Sequence, residues 1–298
     1  MKYQTTILLF CILFILIPGC NTDNNKSVQI DYFGLPEPGL TPEPFGQDIF
    51  KVDKFMLHGF PSFSPDGKQV CWPVIPPRIL TMTYDNNGWS TPQVAPFSER
   101  NIQAPCWSPD GKQLWFQMSH ADGFGSLDLW SVSKTDTGWS DKRNPGSPPN
   151  SPSLESQPSL TSSGALYYTG VYKEGFMNRG IYRCEYQNGA YAAPELLPEQ
   201  INTSYLDYTP FIAPDESFLL FASTRPDTLE SNIRLYVSFH PDKDTWTEPV
   251  NLNEVMGFDK ACRFPCLTPD GKYIIFQSGR DYYWVSSEII EKCRKTKI

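Results

Sequence analysis

Apolar residues alternate with polar ones in short runs along the chain, and these runs follow turns built from proline, aspartate and glycine. After the turn "SPDGK", Val70 and Trp72 share one face of a strand, and Leu114 and Phe116 do so after a second copy of that turn. In such a turn Pro presets φ, Asp caps its own backbone and Gly accepts the left-handed conformation. The pattern predicts many short strands joined by tight hairpins.

The hairpin pattern returns five times, at intervals of roughly 50 residues. The first prolines of the five copies are Pro61, Pro105, Pro158, Pro210 and Pro265. The third copy, "PSLTSSGALYY", lacks the Pro and Asp of the turn and is one residue shorter, and the fourth has Glu216 where glycine is expected. We expect both copies to turn nevertheless, at some cost in backbone strain.

Two further strand-like segments follow most of the hairpins, such as "LDLWSVS" and then "GWSDKRN" after the second copy. A proline recurs in the last of these segments, as in "GWSTPQV", and it suits an outermost edge strand where a missing N–H is harmless. Four strands per copy correspond to one propeller blade. The sequence therefore predicts a single all-β propeller of five four-stranded blades over residues 31–298, with six blades as the alternative.

The fifth copy lacks a segment for its outer strand, because "DYYWVSS" is followed by "EIIEKCRKTKI", which is typical of a short amphipathic helix. Residues 39–49, "GLTPEPFGQDI", have the proline-rich character of an outer strand without a blade of their own. We expect this N-terminal segment to complete the last blade and close the ring. The alternative is an unattached proline-rich linker.

The N-terminus has the features of a targeting segment, with Lys2 before a short apolar run, "ILLFCILFILIP". The run ends in "IPGC", which resembles the lipobox of bacterial lipoproteins. On that resemblance residues 1–19 are a signal peptide, Cys20 is lipidated, and residues 20–30 are a flexible tether. The protein is then expected in the bacterial cell envelope, lipid-anchored and facing the periplasm or the outer surface. An ordinary signal peptide is the alternative.

Composition narrows the possible ligands. The net charge of −8 argues against a nucleic-acid partner, which would need a cationic face.

Six cysteines follow Cys20, and an exported compartment permits disulfides whose pattern the sequence leaves open. Cys262 and Cys266 do not have zinc-ligand spacing relative to any of the three histidines, so we expect structural or free thiols, no metal site and no cofactor. The six cysteines are Cys71, Cys106, Cys184, Cys262, Cys266 and Cys293.

The "SPDGK" hairpins and the strands after them resemble the WD-like β-propeller repeats of the TolB-type superfamily. The opening "DYFGLPEPGLTPEPF" and the tail "DYYWVSSEIIEK" are similar to envelope lipoproteins of that group. The resemblance covers about residues 31–293 and implies the fold, whereas propellers support many unrelated functions. TolB has an additional N-terminal α/β domain, for which we expect no room here, so a direct role in the Tol system is not implied.

Candidate site residues come from the geometry of a propeller, in which the loops before the innermost strands converge on one mouth of the central channel. The residues in those loops with functional side chains are His58, Glu155, Asp207 and Arg263. Loops after the second strands add His120, Arg225 and Arg280, although the face that they join depends on strand order. Such a set could bind a sugar, a peptide or a metal, or it could be a solvated rim of ion pairs.

Three functions fit these observations. The first, which we favour, is a noncatalytic and monomeric platform that binds a protein, peptide or glycan. The second is a glycan-active hydrolase or lyase in which Glu155 and Asp207 form a carboxylate pair, since residues on adjacent blades can approach each other. The third is an assembly factor that docks a periplasmic partner on a blade face. No nucleophile elbow, P-loop or dinucleotide fingerprint is present in the sequence.

Overall fold

The computed structural model describes residues 30–171, 179–225, 232–242 and 245–296, and it is an all-β propeller of five antiparallel blades, as predicted. In each blade the strands pair in sequence order from the innermost strand toward the rim, except that the outermost strand of blade 5 is the N-terminal β1. The predicted signal peptide, Cys20 and nearly all of the predicted tether lie outside the described residues.

The strands are short, as the hairpin spacing predicts. Blade 1 consists of β2 (Met56–Leu57), β3 (Ser62–Phe63), β4 (Gln69–Ile75), β5 (Arg78–Asp85), β6 (Gly88–Trp89) and β7 (Gln93–Val94). Blade 2 consists of β8 (Ile102–Trp107), β9 (Gln113–Met118), β10 (Asp128–Thr135) and β11 (Gly138–Trp139). Blade 3 consists of β12 (Glu155–Leu160), β13 (Leu166–Val171), β14 (Arg179–Cys184) and β17 (Glu195–Leu196), with the side hairpin of β15 (Tyr186–Gln187) and β16 (Ala190–Tyr191).

The last two blades follow the same plan, except that the outer strand of the fifth comes from the N-terminal side. Blade 4 consists of β18 (Asp207–Ile212), β19 (Phe218–Ser223), β20 (Arg234–Phe239) and β21 (Val250–Asn251). Blade 5 consists of β22 (Arg263–Leu267), β23 (Tyr273–Ser278), β24 (Asp281–Ser286) and β1 (Glu43–Pro44).

The ring is closed by the N-terminal segment, as predicted. Glu43 pairs with Trp284 and Pro44 with Tyr283, and the Phe45 N–H donates to the Tyr282 carbonyl at 2.9 Å. Regular pairing is limited to two residues rather than the whole predicted segment, because the proline at position 44 and the one two residues earlier have no N–H to donate. Burial of aromatic side chains from this segment supplements the short ladder.

The innermost strands of blades 2 to 5 share a bulge at the residue before the first proline of each copy. Ala104, Gln157, Thr209 and Phe264 have φ between 50° and 57°, which is a strained conformation for residues other than glycine. Side chains of the preceding blade hold some of these backbones. The Gln117 Oε1 atom accepts from the Gln157 N–H, and the Thr169 hydroxyl accepts from the Thr209 N–H, both at 3.0 Å. These bonds join neighbouring blades around the channel.

The two irregular turns form as expected. Gly164 closes the short third turn with φ of 88°, and Glu216 takes the glycine position of the fourth with φ of 61°. The Glu216 side chain accepts hydrogen bonds from the Tyr167 hydroxyl at 2.8 Å and from the Arg183 guanidinium at 3.0 Å, and both residues belong to blade 3. The side chain at the strained position of this turn therefore links blades 3 and 4 through hydrogen bonds.

Two helices accompany the blades. The expected C-terminal helix is α2 (Glu288–Thr296), and it buries Ile289, Ile290 and Cys293 between blades 4 and 5. A short helix, α1 (Leu252–Met256), was not anticipated from the sequence; the Asn251 side chain caps its start and Gly257, with φ of 61°, ends it. Among the described residues, neither helix has the length and apolar character needed to cross a membrane.

A tryptophan or a helix packs into four of the five gaps between blades. Trp89 packs between blades 5 and 1, Trp139 between blades 1 and 2, and Trp246 between blades 3 and 4. Helix α2 fills the gap between blades 4 and 5. At the remaining gap, between blades 2 and 3, the corresponding hairpin position is Tyr191, since Tyr191 pairs with Tyr186 as Trp139 pairs with Lys134.

Candidate functional site

The predicted candidates lie at one end of the propeller, which we call the channel mouth: the loops before the innermost strands together with the loops after the second strands. The register brings the two sets of loops to the same end, because Asp207 at the start of its strand pairs with Ser223 at the end of the next. Glu155 likewise pairs with Gly170. The strand order, which the sequence left open, therefore puts both sets of candidate residues at the same end of the propeller.

Asp207 and Arg225 form a buried ion pair inside blade 4. The Arg225 guanidinium donates to one Asp207 oxygen at 2.7 Å, and the other oxygen accepts from the Thr203 N–H and hydroxyl, each at 2.7 Å. Arg225 also donates to the carbonyls of Gln200 and Ile201. The Asp207 residue is 0% exposed. This pair fastens the loop before the innermost strand, and its carboxylate has no accessible oxygen.

Glu155 occupies the equivalent position in blade 3 without such a cation among the described residues. Its carboxylate accepts from the N–H and the hydroxyl of Ser151, four residues earlier, just as Asp207 accepts from Thr203. Burial raises the pKa of Glu155 to about 7, and the Asp128 carboxylate nearby raises it further, while the Ser151 hydrogen bonds oppose the shift. Glu155 is therefore a loop-fastening carboxyl that titrates near neutrality.

Of the remaining candidates, His58 lies near Arg263, whereas His120 and Arg280 lie apart from the other predicted residues. The His58 ring meets the Phe264 ring edge-on at 5.4 Å, and burial together with the neighbouring Arg263 charge lowers the pKa of His58. His120 is exposed and lies 3.5 Å from the Asp122 carboxylate, and Arg280 is exposed on the turn between β23 and β24. Within the described ranges, no recorded contact joins Glu155, His120 or Arg280 to another of the predicted residues.

No disulfide joins the six cysteines of the described residues. Burial raises the pKa of Cys71, Cys106, Cys184 and Cys262 to about 12, so these thiols are protonated at neutral pH. Cys262 packs between blades 4 and 5, whereas Cys266 packs between blades 5 and 1. The two residues that invited a metal hypothesis thus lie in different cores.

A cleft of about 740 Å³ opens between blades 2 and 3 at the opposite end of the propeller. We call it the blade 2–3 cleft. The turn at residues 108–112 forms one wall and the short turn at residues 161–164 forms another. These turns join first to second strands, so the cleft lies on the face away from the channel mouth. None of the predicted site residues lines it.

The blade 2 wall is a row of side chains that point toward blade 3. Trp115 pairs with Ser131, and Ser131 pairs with Arg143, so the three side chains lie on the same face of the sheet. Trp115 packs with Leu160 and other blade 3 residues, which identifies the direction of that face. The Arg143 backbone is fixed by hydrogen bonds of 2.8 and 2.9 Å with Ser131. The row thus runs from an aromatic floor to a cation near the rim.

The opposite wall carries hydroxyls and tyrosines. Tyr191 meets the Trp115 ring edge-on at 5.9 Å and the Tyr186 ring at 4.9 Å. Burial raises the pKa of Tyr191, and the Arg143 charge opposes that shift, which places the guanidinium in the electrostatic range of this phenol. The Ser162 N–H donates to the Pro214 carbonyl of the next turn at 2.7 Å, so the short turn is held in place.

Arg143 lines the cleft as a cation without an ion-pair partner among the described residues. In the described part of the chain, no carboxylate lies within ion-pair distance of its guanidinium. Lys112 and Asp110, which also line the cleft, face each other at 3.8 Å. The hydroxyls of Ser131 and Ser133 also form no hydrogen bond to described residues. The cleft therefore offers a guanidinium, hydroxyls and aromatic rings to a ligand.

Sequence reasoning missed this cleft, although two signals for it were visible. The third copy has a turn that is short and lacks Pro and Asp, and Tyr191 stands where two other copies have Trp89 and Trp139. Taken one at a time, these departures indicate local strain. Their common location appears only when blades 2 and 3 are placed side by side.

No family model matches the chain, and no curated protein matches it in sequence. Its fold is similar to that of TolB from Acinetobacter baumannii, with 16% identity and a TM-score of 0.50 over 76% of this chain and 54% of that one. A protein described as TolB from Agrobacterium tumefaciens gives 18% identity and a TM-score of 0.51, over 75% and 70% of the two chains. An alpha-L-arabinofuranosidase from Lactobacillus brevis gives 13% and 0.51, over 77% and 86%.

These similarities establish the fold, and the proteins that share it include TolB as well as an arabinofuranosidase. The chain spans about half the length of the Acinetobacter protein. The resemblance to TolB-like propellers is thus a distant structural one, and function must be argued from the site.

Proposed function

We propose that this chain is a lipid-anchored protein of the bacterial cell envelope, and that its propeller is a noncatalytic platform that binds a glycan or peptide in the blade 2–3 cleft. The observation that carries the binding site is the convergence of the irregular third turn, Tyr191 and the unpaired Arg143 on one cleft of about 740 Å³. That volume falls within the range of roughly 300–1,000 Å³ that is common for ligand pockets.

The state of the two candidate catalytic carboxylates supports a noncatalytic role. A glycoside hydrolase needs one carboxyl to donate or accept a proton and another to act as nucleophile or base. Asp207 is fully buried with both oxygens bonded, and the two oxygens of Glu155 are bonded to Ser151. The hydrolase or lyase alternative would require both loops to rearrange before either carboxyl could reach a substrate.

The proposed membrane anchor is a lipid attached to the N-terminal cysteine of the mature protein. The "IPGC" box motivates lipidation of Cys20, which lies outside the described residues. Replacing Cys20 with Ala should prevent lipidation and release the protein from the membrane fraction. Unchanged fractionation of that variant, with no change in the mass of the precursor, would contradict the anchor.

The binding site is tested by a screen followed by a footprint. The mature protein in detergent is screened against glycan and peptide arrays, and hydrogen exchange of the best complex is compared with that of the unbound protein. We expect protection at residues 108–115, 131–143 and 161–164, and little change in the loops at residues 151–155 and 203–207. Protection confined to those two loops would place the site at the channel mouth instead.

A further inference from the structure

We infer that the ligand of the blade 2–3 cleft is an acidic oligosaccharide, whose carboxylate binds the Arg143 guanidinium while its rings lie against Tyr186 and Tyr191. This inference rests on the proposed binding function and adds the class of ligand. It follows from three features: a cation whose backbone is fixed and which has no ion-pair partner among the described residues, walls lined by side chains of turns and of the blade 2 sheet, and the acidic character of the rest of the chain.

The first feature is the placement of Arg143. Its backbone pairs with Ser131, so the residue is held against the third strand of blade 2. Its neighbour Lys142 is bonded to the Glu99 carboxylate, whereas no described carboxylate meets Arg143. A guanidinium can bind a carboxylate through two parallel hydrogen bonds, which fixes both the position and the orientation of the bound group.

The second feature distinguishes a sugar from a peptide. Peptides that bind to β-proteins commonly add a strand to an exposed sheet edge and use its free N–H and C=O groups. The walls of the cleft are instead two turns, one face of the blade 2 sheet and the β15–β16 hairpin, so a ligand meets side chains: Ser131 and Ser133 from blade 2, and Tyr186, Tyr191 and Ser162 from blade 3. Hydroxyls without partners beside aromatic rings match the hydroxyls and ring faces of a sugar.

The third feature is charge. The chain has a net charge of −8, which disfavours the approach of anions to most of its surface. In the cleft the Asp110 carboxylate faces Lys112, which leaves Arg143 and Lys134 as further positive charges in its lining. The Lys134 ammonium lies over the Trp107 ring, 5.7 Å from the ring centroid, on the side of blade 2 that faces blade 1. Selectivity for an acid therefore depends chiefly on Arg143.

The test uses matched ligands and matched variants of the mature protein. The ligands are tetramers of mannuronate and of galacturonate, each with its methyl ester, and a hexapeptide of glutamate. The variants are Arg143→Gln and Lys142→Gln, which remove the same charge from neighbouring positions, of which only the first lines the cleft. Affinities are measured by calorimetry, and the site is located by hydrogen exchange.

We expect an acidic tetramer to bind with protection at the cleft, and its methyl ester to bind at least about tenfold more weakly. Arg143→Gln should weaken binding of the acid by a similar factor and leave the ester unchanged, whereas Lys142→Gln should change neither by more than about twofold. Equal affinity for acid and ester, with protection still at the cleft, would contradict the inference that the ligand is acidic. The proposed binding function of the cleft would then still stand.

Other outcomes separate the remaining possibilities. Tighter binding of the glutamate peptide than of either tetramer, with loss on Arg143→Gln, would replace the sugar by an acidic peptide and overturn the inference. Protection only at the channel mouth would overturn both this inference and the proposed site. Absence of binding by both acidic tetramers would overturn the inference, and the array screen would then decide the proposed function independently.

Discussion

The gap between blades 5 and 1 and the gap between blades 2 and 3 are built from the same repeat and have opposite packing. The first holds a cluster of seventeen buried residues, to which the N-terminal segment adds Phe45 and Phe50. Phe50 packs edge-on against Trp72 and Tyr282, at 5.2 Å from each ring. In the described part of the chain, the second gap holds six buried residues, with Tyr191 and Cys106 among those at its margin.

The difference shows how a repeat fold can separate stability from binding. Where residues from outside the repeat fill the gap, the blades are joined into a closed ring. Where the wedge is reduced and the turn is shortened, a cleft lined by the turns remains open to a ligand. The ring does not need full packing at every gap, because closure at one gap restrains the others.

The comparison is tested most severely by removing the segment that fills the closed gap. Deletion of residues 31–50 should destabilise the whole domain cooperatively and promote aggregation, because it removes Phe45 and Phe50 and exposes the edge of β24. Thermal unfolding and size-exclusion chromatography measure both effects. Deletion of residues 21–28 is the control and should be nearly silent. An unchanged melting temperature with a monomeric profile for the longer deletion would show that the segment does not lock the ring.

Single truncations should reproduce the contrast on a smaller scale. Phe50→Ala removes a ring that is 1% exposed and should reduce the free energy of unfolding by about 3–5 kcal/mol. Tyr191→Ala removes a ring that is already partly exposed at the open gap and should cost less, on the order of 1 kcal/mol. Denaturant unfolding of both variants measures the difference. Equal losses would mean that the two gaps are packed alike.

Blade 3 also differs from blade 4 at the channel mouth, and this difference predicts a pH dependence. Burial raises the pKa of Glu155 from the ordinary 4.5 to about 7. The folded state therefore holds a proton that the unfolded state releases between these values, so stability falls as pH rises through that range, by at most about 1.4 kcal/mol per pH unit. Glu155→Gln, which resembles the protonated carboxyl, should remove this part of the slope. Unfolding curves at pH 5 to 8 measure it, and identical slopes for variant and wild type would contradict the burial argument.

Much of the fold could be predicted from the sequence because its signals are local and repeated. The Pro-Asp-Gly turns and the alternation of apolar residues indicate hairpins directly, and an outer strand missing from the fifth copy points to residues 39–49. Other features depend on contacts between a loop and a strand that is distant in sequence. The side chains of Asn150, Asn202 and Asn253 bond to the third strands of their blades, yet each appears in sequence only as a polar loop residue.

The candidate site was predicted less well for the same reason. The sequence left open which face Arg225 joins, and the structure places Arg225 beside Asp207 and Arg263 beside His58. Charge in a loop does not reveal whether a side chain faces a ligand or fastens its own loop, as Asp207 does. The blade 2–3 cleft forms where the third copy of the repeat has a shortened turn and a tyrosine in place of a tryptophan. The effect of these two changes becomes visible only when the blades are packed side by side.

The central claim is that the blade 2–3 cleft is the binding site because its wedge is incomplete. Tyr191→Trp restores the residue that fills the equivalent position in blades 1 and 2. Affinity for the best ligand of the array screen, measured by calorimetry beside Arg280→Ala as a control on the opposite face, tests the claim directly. We predict that Tyr191→Trp weakens binding at least about tenfold while the melting temperature stays equal or rises, and that Arg280→Ala changes neither. Unchanged affinity in a stably folded Tyr191→Trp variant would contradict the claim.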